Sequence, residues 1–134
     1  MSYSSPKTTA WSNIVRSLDG LIIVTPQYNW GYPSTVKEAL DHLYHEWKDL
    51  PVSVISFGSR GGTKVAESLQ IILEHGLKMK LVSCGQAMIA LPGEYIRGEE
   101  RVSGNDDFLK PYEDKLVTLF SQMVVAANER RALS

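Results

Sequence analysis

Two short segments concentrate the residues that could hold a ligand. Pro26, Gln27, Tyr28, Asn29, Trp30, Gly31, Tyr32 and Pro33 are consecutive, and so are Gly58, Ser59, Arg60, Gly61 and Gly62. The first offers three aromatic faces for stacking and two side-chain amides for hydrogen bonding. The second has three glycines in five positions, which lets a flat molecule approach the backbone closely. Together they suit a planar heteroaromatic ring with polar edges. Glycine turns are also common for steric reasons alone, and loop aromatics often cover a core edge. The residues by themselves leave both readings open. Arg60 stands equally between a phosphate or polar-edge partner and an ordinary surface arginine. Trp30 is out of phase with any core stripe and is the better ligand contact.

Other reactive side chains point less clearly. His42 and His45 lie three apart beside Asp41 and Glu46. No metal-ligand spacing is matched, and a solvated helix face with internal ion pairs is the simpler account. Tyr28, His42 and His45, with Tyr32, remain the candidates for moving a proton. Cys84, the single cysteine, reads as a small buried apolar residue. It excludes an intramolecular disulfide or a cysteine-rich metal site.

The elements that must position these residues follow from spacing. Ser5 and Pro6 open a helix carrying Trp11, Ile14, Val15 and Leu18 inward until Gly20. Leu21, Ile22, Ile23 and Val24 form an unbroken apolar run, the pattern of a strand covered on both faces. A helix capped by Ser34 carries Val36, Ala39, Leu40, Leu43, Tyr44 and Trp47 on one stripe. Its other face holds Lys37, Glu38, Asp41, His42, His45 and Glu46. Residues 51–57 form a second strand, and a helix from Thr63 stops near Gly76. A third strand covers residues 79–84, with a possible extension over residues 86–91. Residues 92–107 are polar and read as a surface loop. A last helix over residues 108–129 buries Leu109, Tyr112, Leu116, Leu119, Phe120 and Met123, and Pro111 must lie in its first turn.

Helices alternate with strands, so the strands pair in parallel within one α/β domain over residues 1–134. Ligands of such sheets lie beyond the carboxyl ends of the strands, where both segments fall. The 134 residues are 43% hydrophobic and 22% charged, with 14 Lys+Arg against 15 Asp+Glu and a net charge of −1. That balance predicts neither nucleic acid nor a membrane surface as partner. The four-residue apolar run falls far short of the ~20 residues that span a bilayer. The polar start has no signal-peptide pattern, and a cytoplasmic location is expected.

The stretch Asp19 to Pro33, with its Thr25-Pro26-Gln27-Tyr28-Asn29 strand end, is followed by Lys37, Ala39, Leu40 and Asp41. It resembles the flavodoxin-like NAD(P)H-dependent FMN reductase family, which includes quinone and azo-dye reductases. Ser56 to Gly62 is similar to that family's second flavin loop. The resemblance covers residues 10–91. It implies a flavodoxin-like three-layer sandwich, FMN as cofactor, and NADPH or NADH as reductant. Pro26, Gln27, Tyr28, Asn29, Trp30 and Gly31 would then touch the flavin, as would Gly58, Ser59, Arg60, Gly61 and Gly62. A small planar aromatic acceptor such as a quinone is implied as substrate.

The family pattern begins with a strand and a Gly-Ser-x-Arg phosphate loop that have no counterpart here. The expectation is therefore a truncated sandwich with a parallel sheet of about three strands. Charge-assisted hydrogen bonds contribute about 1.5–3 kcal/mol each. Losing two or three costs about 4–6 kcal/mol, or three to four decades of affinity. The Leu21 to Val24 strand becomes an edge, which predicts a homodimer or higher oligomer through that edge or the uncovered sheet face. Two alternatives stay open: a flavin-free enzyme working on a planar substrate by isomerisation, dehydration or cyclisation, and a non-catalytic subunit that pairs with a full-length relative.

Overall fold

The structure, a computed structural model, describes residues 3–133; Met1, Ser2 and Ser134 of the polar termini lie outside the described residues. Its helices are α1 (Pro6–Arg16), α2 (Ser34–Asp41), α3 (Thr63–Ile71), α4 (Gly93–Ile96) and α5 (Glu113–Leu133). The strands β1 (Leu21–Pro26), β2 (Pro51–Gly58) and β3 (Lys80–Ala90) form one parallel sheet in the order β1-β2-β3. Helices cover both faces, which gives the three-layer α/β arrangement.

Period-two alternation splits β2 between two cores. Val52 and Val54 join Val15, Leu40, Trp47, Val65, Leu69 and Leu73 on the face of α1, α2 and α3. Ile55 joins Ala87, Ile89 and Leu119 on the face of α5. β2 is the strand buried on both sides. β1 is not: Leu21 and Ile23 pack toward the first core, but Val24, pointing the other way, is 60% exposed. The reason is coverage, because α5 lies over β3 and β2 and stops short of β1. Gly20 lets α5 come close, since a Cβ there would lie 2.5 Å from the Met123 sulfur.

The helix expected through Trp47 breaks after Asp41. The indole N–H groups of Trp11 and Trp47 donate to the carbonyls of Ala39 (2.8 Å) and Leu40 (3.0 Å). Those carbonyls belong to the last turn of α2, so the tryptophans satisfy its orphan acceptors and end it. The chain re-forms as a 3-10 turn, His45–Trp47. This changes the phase: Tyr44 turns out to solvent and Glu46, expected on the wet face, is only 8% exposed. Ser12 Oγ and Tyr3 OH both donate to Glu46 Oε2, at 2.5 and 2.6 Å. Burial alone would raise the Glu46 pKa, but these two bonds, with help from the backbone amides of Glu46 and Tyr44, outweigh it and hold the carboxyl at about 2.

β3 is one strand with an interruption. Val52 pairs with Leu81 and Val54 with Gln86, so four residues of β3 stand opposite Ser53 alone. Cys84 sits in that bulge at φ +56 and is exposed rather than buried, because the bulge carries it off the sheet. The segment expected as a plain loop contains α4, and Tyr95 OH donates to Asp106 (2.8 Å). Pro111 falls within the 3-10 turn Asp107–Tyr112 that precedes α5, where its missing N–H costs little. On α5, Leu119 and Met123 are buried, whereas Phe120, expected inward, is 48% exposed.

Candidate functional site

The carboxyl ends of β1 and β2 bring the two segments side by side. Tyr28 N–H donates to Gly31 O and Gly31 N–H donates to Tyr28 O, both at 2.9 Å. Asn29 and Trp30 between them have φ of +48° and +68°. This is a two-residue turn of the primed type, which favours Asn-Gly. A tryptophan with positive φ is a genuine outlier. The turn presents Trp30, 71% exposed, and Tyr28, 59% exposed, at the sheet's end. Lys64 Nζ stands 5.6 Å from the centre of the Trp30 ring.

The second segment is a cradle. Gly61 and Gly62 have φ of +83° and +69°. A Cβ on Gly62 would lie 2.9 Å from Ser56 Cβ and 3.1 Å from Phe57 N. One on Gly61 would lie 3.3 Å from Met88 Cβ. Ser56 Oγ donates to Gly61 O (2.9 Å), and the N–H groups of Gly61 and Leu91 both donate to Gly58 O. The amides of Ser59, Arg60 and Gly62 find no acceptor among the described residues. Arg60 is exposed and makes no ion pair among them. The loops are joined directly: Gln27 N–H donates to Phe57 O (3.0 Å), and Gln27 Oε1 accepts from the amides of Lys64 (2.9 Å) and Val65 (3.1 Å).

The proton-moving candidates are not gathered together. His42 caps the end of α2, with Nδ1 2.6 Å from Glu38 O. It shares an open depression with Tyr32, Ser34, Lys37, Glu38 and Asp41. Tyr28 is in the primed turn, and His45 packs edge-on against Tyr44. Sequence reasoning missed Met88, which borders the glycine loop, the placement of Lys64 over Trp30, and the capping role of Gln27. No local pattern signals a cap supplied from 37 residues away.

Residues 1–92 match the model of the NADPH-dependent FMN reductase family. The chain belongs to that family. It is 49% identical over 90 residues to an NAD(P)H-dependent FMN reductase of Saccharomyces cerevisiae, covering 67% of this chain and 46% of that protein. It is 38% identical over 96 residues to an NAD(P)H-dependent FMN reductase of Schizosaccharomyces pombe, covering 72% and 48%. The chain thus spans about half the length of the curated relatives it matches. A flavoenzyme NAD(P)H:(acceptor) oxidoreductase of Paracoccus denitrificans shares the fold with a TM-score of 0.64 at 23% identity, over 90% of this chain and 70% of that one. An oxidoreductase of Corynebacterium diphtheriae shares it with a TM-score of 0.56 at 17% identity, over 96% and 62%. These neighbours support the flavodoxin-like α/β fold. No helix among the described residues is long and apolar enough to cross a membrane.

The residues present fit a flavin ring. Gly61 and Gly62 pack tightly against β2 and Met88, the Ser59, Arg60 and Gly62 amides beside them have no acceptor among the described residues, and exposed Tyr28 and Trp30 stand in the loop that Gln27 joins to theirs. They do not supply a phosphate site at the start of α3, because Gln27 Oε1 already takes the Lys64 and Val65 amides there.

Proposed function

We propose that this chain is the ring-binding part of an NAD(P)H-dependent FMN reductase that passes electrons to a small, planar, quinone-like acceptor. The observation that carries the reading is the convergence of the two loops at one sheet end, both inside the family-matched residues. Bound FMN would supply acceptance and release of a hydride. The chain's own part is to bind and orient. Gly58, Ser59, Arg60, Gly61 and Gly62 would lie along the ring's edge, where the amides of Ser59, Arg60 and Gly62 would donate to its polar atoms. Pro26, Gln27, Tyr28, Asn29, Trp30 and Gly31 would bound its other side, with Trp30 and Tyr28 limiting water and stacking the incoming nicotinamide or acceptor. No side-chain acid or base is required, which agrees with the dispersal of Tyr28, His42 and His45.

Two copies of the chain would associate through β1. Support comes from its unpaired outer edge, from exposed Val24, and from Val117, Phe120 and Val124 along one flank of α5. An exposed free Cys84 suits the reducing cytoplasm.

Titration of purified protein with FMN tests the reading. Saturable quenching of flavin fluorescence, and FMN-dependent oxidation of NADPH or NADH with a quinone present, are expected. Protein that neither quenches FMN nor consumes either nucleotide with FMN added would sink it.

A further inference from the structure

We propose that Gln27 is a positioning residue of the ring site, a strut between the two loops, and not itself a contact of the ring through its carbonyl. The proposal rests on the flavin reading above and adds how the site is held in shape. α3 starts on Gly62, which has no side chain with which to cap it. Its first amides need an acceptor, and none comes from its own segment. Gln27 supplies one from the end of β1: Oε1 receives Lys64 N–H at 2.9 Å and Val65 N–H at 3.1 Å. The Gln27 backbone is fixed at the same time by its N–H to Phe57 O, 3.0 Å. One residue therefore ties the exit of β1 to the exit of β2 and to the first turn of α3.

Lys64 carries the link onward. Its amide is held by Gln27 while its ammonium lies over the Trp30 ring. Trp30 sits in a turn whose backbone is unfavourable for it, so its placement relies on such outside contacts. Releasing Gln27 would free the glycine cradle and the Trp30 turn to move apart. A ring gripped by both would then lose preorganisation, and affinity falls even though no group touching the ring has been removed. The same geometry leaves the α3 amides occupied, so an anion has no purchase there and the cradle is matched to an uncharged ring edge.

Three variants test this: Gln27→Ala, Gln27→Glu and Gln27→Asn. Glutamate keeps the acceptor and its length, and its charge suits a helix N-terminus. Asparagine is one methylene too short. Gln27→Ala and Gln27→Asn should lower the melting temperature of ligand-free protein by about 3–6 °C, the size of a lost cap in a chain this long. Amide exchange at Lys64 and Val65 should accelerate, and FMN affinity, measured well below melting, should fall about fivefold to tenfold. Gln27→Glu should restore all three. Glutamate that restores melting and exchange but leaves FMN affinity as low as in the alanine variant overturns the proposal, because it assigns the Gln27 amide N–H₂ to the ring. Unchanged melting and exchange in Gln27→Ala overturn the strut itself. Parent protein that takes up no FMN overturns the underlying reading, and the melting and exchange measurements still report on the strut separately.

Discussion

Replacing Gly62 with alanine separates backbone conformation from close approach in the cradle. Gly62 has φ +69°, and an alanine held there costs about 1 kcal/mol for the left-handed backbone alone. The added Cβ would lie 2.9 Å from Ser56 Cβ and 3.1 Å from Phe57 N, both part of buried β2 rather than the end of a flexible side chain. Forcing these apart adds about 2 kcal/mol, within the usual range for overpacking. The expected total is about 3 kcal/mol. Two controls divide it. Gly104 has φ +99° with nothing near its missing Cβ, so Gly104→Ala should cost only the backbone share, about 1 kcal/mol. Gly93 begins α4 with open space around it and no positive φ, so Gly93→Ala should be neutral or gain about 0.5 kcal/mol. Urea denaturation at constant m-value measures all three. Equal losses in Gly62→Ala and Gly104→Ala would refute the close packing of Gly62 on β2.

Trp30→Gly converts the primed turn to Asn-Gly, its preferred sequence, and should raise stability by about 0.5–1 kcal/mol while weakening FMN binding several-fold; thermal melting and fluorescence titration read the two effects. The Glu46 carboxyl titrates at about 2 in the folded chain against an ordinary value of 4.5. Its contribution is thus full above pH 4.5 and fades as pH falls toward 2. Ser12→Ala should flatten that acid limb in denaturation curves taken from pH 2 to 6. Val24→Lys places a charge on the open face of β1 and should leave a folded monomer where the parent elutes as a dimer; light scattering on the eluate decides it.

The sequence is informative where one segment decides its own fate. The β-branched run of β2 and the stripe of α3 dictate their elements, and the glycines at positions 61 and 62 mark a turn that no other residue fits. β1 shows the limit. Its apolar run predicts burial on both faces, but cover depends on where α5 comes to lie. Glu46 was hidden for a related reason: the break in α2 is made by indole donors from Trp11 and Trp47, and it shifts the phase of everything after Asp41. Cys84 looked apolar and buried because a four-residue bulge leaves little trace in composition. The Pro26–Gly31 and Gly58–Gly62 loops were legible as a pair through strand-end logic and family likeness. Their joining by Gln27 was not, since it depends on a long-range register between β1 and α3.

The bulge in β3 has a further effect on how molecules of this chain can meet. Between Leu81 and Gln86 the outermost ladder is broken, with Cys84 and its neighbours thrown outward. A foreign strand laid along that side would meet this break between Leu81 and the regular run over residues 86–90. The opposite margin, Leu21–Pro26, runs straight and carries no charged side chain. The break makes the β3 side the poorer of the two for strand addition. If two copies pair through β1, as proposed, the interrupted β3 border is the poorer template for a third, which favours a pair over a fibre.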